Sequence, residues 1–161
     1  MAAELLILRL VHILGGIYWV GAGLFSTFYL APALKASGPA VAGAVMSHMQ
    51  RRHMFTVMPI VAILTMLSGI RLMMIVSGGD GDWFLHRAGH TYSVAGALAI
   101  IAFVLSLVVT RPAMVKAGKL AQSGGDAATI ASLQKRASLA TMVAVVFLIL
   151  AAAGMAIARY L

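Results

Sequence analysis

Long apolar stretches of the chain alternate with short clusters of polar and turn-forming residues. The apolar stretches cover about 5–34, 54–76, 84–110 and 137–159. Each is long enough for a helix to cross a bilayer, which takes about 20 predominantly apolar residues. Between them fall Pro32 and Gly38-Pro39, the run Ser77-Gly78-Gly79-Asp80-Gly81-Asp82, and Ser123-Gly124-Gly125-Asp126, residue types that interrupt helices. Arg111-Pro112 marks the exit of the third stretch, whose helix is expected to begin near Trp83, and Pro59 predicts a kink in the second. The pattern predicts an all-α integral membrane four-helix bundle, one domain over residues 1–161.

Composition supports lipid as the solvent. Charged residues make up 10% of the chain, against about 25% in soluble domains, and the mean hydropathy is +1.01. The first stretch opens with Glu4 rather than a basic segment, so it reads as a permanent span and not as a signal peptide. Lys35, Arg51, Arg52, Arg111, Lys116, Lys119, Lys135 and Arg136 fall in the first and third loops, whereas the opposite side holds Arg9, Arg71, Arg87 and Arg159. Basic residues gather on the cytoplasmic side of membrane proteins, so both termini are expected to be non-cytoplasmic, in a bacterial inner membrane. The net charge of +8 then reflects loops that meet anionic lipid, and no basic stripe with interleaved aromatics points to nucleic acid. The absence of cysteine excludes disulfides and thiolate sites.

Ionisable residues inside spans are costly and therefore mark function. His12 lies well inside the first apolar run, and His90 follows Trp83 by seven residues on a span entering from the same side. Two histidines at one depth on different helices can supply both axial ligands of a haem. His12, Gly16, Trp19 and Gly23 share one helical face, where glycine leaves room for a flat macrocycle. Arg9 and Arg87 each sit one turn above a histidine, and Arg71 and Arg159 end the other two spans near the same face; arginine pairs bidentately with carboxylates such as haem propionates. The same spacing gives a weak internal repeat, relating the two halves about an axis along the membrane normal. His86, four residues before His90, is an alternative ligand, a partner in a small metal site, or a surface residue. The segment holding Met46, His48, Met49, His53 and Met54 offers imidazole and thioether groups, which suit Cu(I); methionine also serves as plain filler in apolar helices. No carboxylate lies deep in a span, which argues against proton-coupled transport and a carboxylate-bridged di-iron site. No nucleotide loop, zinc-protease motif or placed Ser/His/Asp set occurs.

The run from Val11 to Phe25, with Trp19 seven residues after His12 and small residues following, resembles the first helix of HemJ-type protoporphyrinogen oxidases and CopD-type copper-resistance membrane proteins. Phe28-Tyr29-Leu30 with Pro32, the segment Met49 to Arg52, Ser68-Gly69, Trp83-Phe84-Leu85-His86 and Arg136 follow in the order of the HemJ type. The resemblance implies a four-helix membrane fold that binds haem b through a histidine at the position of His12. The chain departs from the HemJ pattern at Ala33, Leu34, Lys35, Gln50, Leu139 and Ala140, which separates it from protoporphyrinogen oxidation more than from the haem fold. The first expectation is a membrane b-type haem protein, an oxidoreductase or electron carrier, with haem between spans one and three. The alternatives are a copper-handling membrane protein and a purely structural bundle. The bilayer is the required partner; a redox partner, a quinone or other small-molecule substrate, and homo-oligomer formation are left open.

Overall fold

A computed structural model describes residues 2–161. Five helices carry the chain: α1 (Ala2–Ala36), α2 (Pro39–Arg51), α3 (Met54–Ser77), α4 (Arg87–Gln122) and α5 (Ala127–Ala158). Four of them, α1, α3, α4 and α5, are long and apolar enough to cross a membrane, and no strand occurs among the described residues. Three of the spans outrun their apolar stretches, and for α4 and α5 this is the extension beyond the membrane that the long polar third loop predicts. α1, α4 and α5 have 35, 36 and 32 residues, about 50 Å at 1.5 Å per residue, so they outrun a hydrocarbon core of about 30 Å. The surplus of α4 and α5 lies at one end, where Arg111 to Gln122 and the start of α5 form a basic hairpin.

α1 packs against α3 and α4 packs against α5; these two hairpins are joined through α3–α4 and α1–α5 contacts, which leaves α1 and α4 on a diagonal. The interior is built from small side chains. Among the described residues, ten of the thirteen buried apolar positions are alanine, and the others are Trp19, Val145 and Leu148. Large side chains such as Leu6, Ile7, Leu14, Ile17, Leu67 and Val108 face outward. This inverts a soluble bundle: small residues let helix backbones approach and gain dispersion contact, while lipid covers the large side chains. Serines and threonines inside the spans donate to carbonyls one turn back, as Thr65 does to Val61 and Ser68 to Leu64, so their hydroxyls are satisfied without water.

Both proline exits differ from the expected breaks. α1 and α4 continue through Pro32 and Pro112, because each passes through one π-helical turn just before, Ser26–Leu30 and Ser106–Thr110. There the amide of Ala31 donates to the Ser26 carbonyl, and that of Arg111 to the Ser106 carbonyl. Widening the turn accommodates a residue that lacks an N–H and crowds the carbonyl four back. The signature Ser-x5-Pro-Ala therefore occurs twice, at Ser26, Pro32, Ala33 and at Ser106, Pro112, Ala113. α3 likewise runs unbroken through Pro59.

The third span begins at Arg87 and not near Trp83. Asp82–Leu85 forms a 3-10 turn, and His86 is extended (φ −71°, ψ 153°). This turn folds back on the helix it precedes. Trp83 stacks on Tyr92 with ring centroids 6.2 Å apart, and a Cβ at Gly89 would collide with the Trp83 carbonyl. An aromatic pair and a glycine contact thus end the apolar run that otherwise reads as helix.

Candidate metal centre

His12 enters the interior from α1 where α1 and α3 approach closely. Gly15 makes the approach possible, since a Cβ there would overlap the Thr65 hydroxyl. One turn further out, a Cβ on Gly69 would lie 2.7 Å from His12 Cε1, so glycine at 69 is what admits the imidazole. His12 Nδ1 is 2.8 Å from the Thr65 carbonyl oxygen, and Nε2 is 3.4 Å from the Met155 sulfur on α5.

Both neighbours are acceptors, and a neutral imidazole has a single N–H. The short carbonyl contact takes that proton, so Nδ1 donates to Thr65. Nε2 is left with its lone pair aimed at a thioether. A histidine that anchors one ring nitrogen on a backbone carbonyl and presents the other unprotonated has the posture of a metal ligand. Two donors 3.4 Å apart span two of the four positions of a tetrahedral ion, about 3.5 Å for metal–nitrogen and metal–sulfur lengths near 2.0 and 2.3 Å, and no group of His, Asp or Glu among the described residues fills the other two.

The other expected site residues lie elsewhere. His90 is exposed on the fourth residue of α4, and lines a groove of about 200 Å³ with Val94, Ala95, Leu150 and Gly154. Gly154 and Met155 face different partners on α5: Gly154 meets Ala95, and Met155 meets His12. The two histidines therefore flank α5 on faces about 100° apart. They also differ in depth. Trp19 meets Phe103 edge-on at 6.2 Å, and counting back seven residues on each span sets His12 near Gly96, with His90 at least one turn further out. The expected match counts from Trp83, whereas the helix begins at Arg87, so His90 is only its fourth residue. His86 is the residue before α4, where its carbonyl accepts the His90 amide, so it does not share a helical face with His90. Gly16 packs near Thr65, and Trp19 is buried in the core. Arg9 and Arg87 are exposed, and Arg71 is bound to Glu4 through Nε at 3.0 Å and Nη2 at 2.6 Å. The structure thus places His12 against Met155 and His90 beside Gly154, on different faces of α5, and does not bring the two histidines together.

At the opposite end, His48, Met49 and Met54 line one cavity of about 630 Å³ with Tyr18 and Val57. Met46 and His53 are not on its wall, and His53 instead holds the left-handed turn (φ 59°) before α3. Arg51 Nη2 lies 3.1 Å from His48 Nδ1 and 3.3 Å from its Nε2, and a guanidinium against the ring repels a second cation. Among the described residues no group of three or more His, Asp or Glu side chains gathers. The sequence points to His12 directly and marks Gly69 only within the Ser68-Gly69 pair of the resemblance, but it does not point to Thr65 or Met155, whose roles depend on which helix faces meet.

Compared with protein-family models, curated proteins and solved structures, the chain matches none. Fold and site together define a helical bundle with four membrane-length spans and one preorganised nitrogen–sulfur donor pair.

Proposed function

We propose that the chain is a copper-handling protein of the cytoplasmic membrane that binds Cu(I) through His12 Nε2 and Met155 Sδ, at the end of the bundle bearing both termini and facing away from the cytoplasm. The observation that carries this reading is the 3.4 Å separation of two soft, uncharged donors, with the imidazole proton committed to the Thr65 carbonyl. Imidazole and thioether ligands favour Cu(I) over hard cations. The surroundings sharpen that preference, because Glu4, the acid on the same helix, is paired with Arg71 and so is not free to offset the desolvation of a divalent ion. Thr65 and Gly69 act as positioning residues, holding the ring in one tautomer and one place.

The test is titration of the detergent-purified protein with Cu(I) against a chromophoric chelator under reducing conditions. One equivalent is expected to bind. His12→Ala and Met155→Leu should each weaken binding about tenfold or more, while His48→Ala leaves it unchanged. Copper retained by His12→Ala overturns the proposal. A low-spin haem spectrum in the purified protein, lost in both His12→Ala and His90→Ala, overturns it in favour of haem b.

A further inference from the structure

The cavity at the basic end has a second use, independent of the copper reading. α2 is amphipathic: Val41, Val45 and Met49 recur every four residues, and His48, Arg51 and Arg52 cluster at its C-terminal end. No residue of α2 is buried, and its packing is light, mainly against the end of α1 and against α3. It therefore stands off the bundle and leaves about 630 Å³ walled by Tyr18, Val45, Met49, Met54 and Val57, with His48 and Arg52 also lining it. That volume lies within the range of sites for drug-sized ligands, and its walls are apolar and continuous with the outward-facing surfaces of α1 and α3.

Charge identifies the occupant. Among the described residues the one ion pair is Arg71–Glu4, at the opposite end of the bundle, so neither Arg51 nor Arg52 has a carboxylate partner. The acid on this side, Asp126, is engaged with Thr129. An apolar groove with Arg52 on its wall and the Arg51 guanidinium against the wall residue His48 is complementary to an anionic amphiphile with a long hydrocarbon chain. We infer that this groove binds one anionic phospholipid, its acyl chain along Tyr18, Met49, Met54 and Val57 and its phosphate on Arg51 and Arg52. α2 then lies in the headgroup layer, as basic amphipathic helices do.

Native mass spectrometry of the delipidated full chain, titrated with phosphatidylglycerol or phosphatidylcholine of identical chains, tests this. One phosphatidylglycerol should bind in preference to phosphatidylcholine. Each of Arg51→Gln and Arg52→Gln should reduce that preference about fivefold, whereas Lys116→Gln with Lys119→Gln should not change it. Val57→Trp fills the groove without altering charge, and should lower the affinity for both lipids while thermal unfolding stays that of the parent. Equal binding of the two lipids, undiminished preference in the arginine variants, or equal loss in the lysine variants overturns the proposal. Displacement of the bound lipid by millimolar inorganic phosphate overturns it too, because a site for phosphate alone needs no groove.

Discussion

Gly69 decides whether His12 can occupy the interior at all. A methyl group there would stand 2.7 Å from His12 Cε1 and 3.0 Å from Nδ1, closer than packed atoms tolerate. The ring of a Gly69→Ala variant must shift away from the Thr65 carbonyl, losing both the anchored proton and the approach to Met155. Overpacking of this kind costs about 1–3 kcal/mol. Gly69→Ala should therefore lower unfolding stability in detergent by that amount and weaken Cu(I) binding alongside it; unchanged copper affinity would count against the positioning role. His12 was legible in the sequence as an imidazole inside an apolar run, which either hydrogen-bonds a neighbouring helix or serves a site. Met155 was not, since methionine fills apolar helices everywhere and only the α1–α5 packing singles it out. Gly16 drew notice for the face it shares with His12, yet the tight contact falls on Gly15, one position away.

Helix ends follow local chemistry that sequence reading captures unevenly. Asp126 is the N-cap of α5, its carboxylate accepting from the Thr129 amide at 2.7 Å and from the Thr129 hydroxyl at 2.6 Å. These bonds hold its carboxyl below the usual aspartate value. A depressed folded value means the cap's contribution is complete above the ordinary value, near 3.9, and is lost as pH falls through the folded one. Hydrogen exchange at residues 127–130 should accelerate, relative to intrinsic rates, only below that range. Asp126→Ala should show the accelerated rates at neutral pH, and an identical profile in both proteins would remove the cap from the account. The existence of the four spans was plain from apolar length, because nothing else in a chain this poor in charge competes with it. Their ends were less plain. Pro32 and Pro112 read as stops but are carried by a π turn, and Trp83-Phe84-Leu85 reads as helix but folds back through Trp83 on Tyr92 and Gly89.

At the scale of the molecule, charge and length agree on which end is which. The end where α4 and α5 extend past their apolar stretches is also the end that holds eight of the twelve lysines and arginines, and the proposed cytoplasmic placement of that end rests on this excess. A reporter active only in the cytoplasm should be silent when fused after Leu161 and active when inserted at Gly124; the reverse result would turn the bundle over and place His12 and Met155 on the inner side. The assembly of the halves was faintly legible in the spaced arginines and histidines, although those residues end up at unequal depth. Ser-x5-Pro-Ala with its widened turn is present once in each hairpin, on the first helix of each. Both helices thereby stay continuous past their prolines, so the step that admits the proline also carries the chain on to the basic end as one rod.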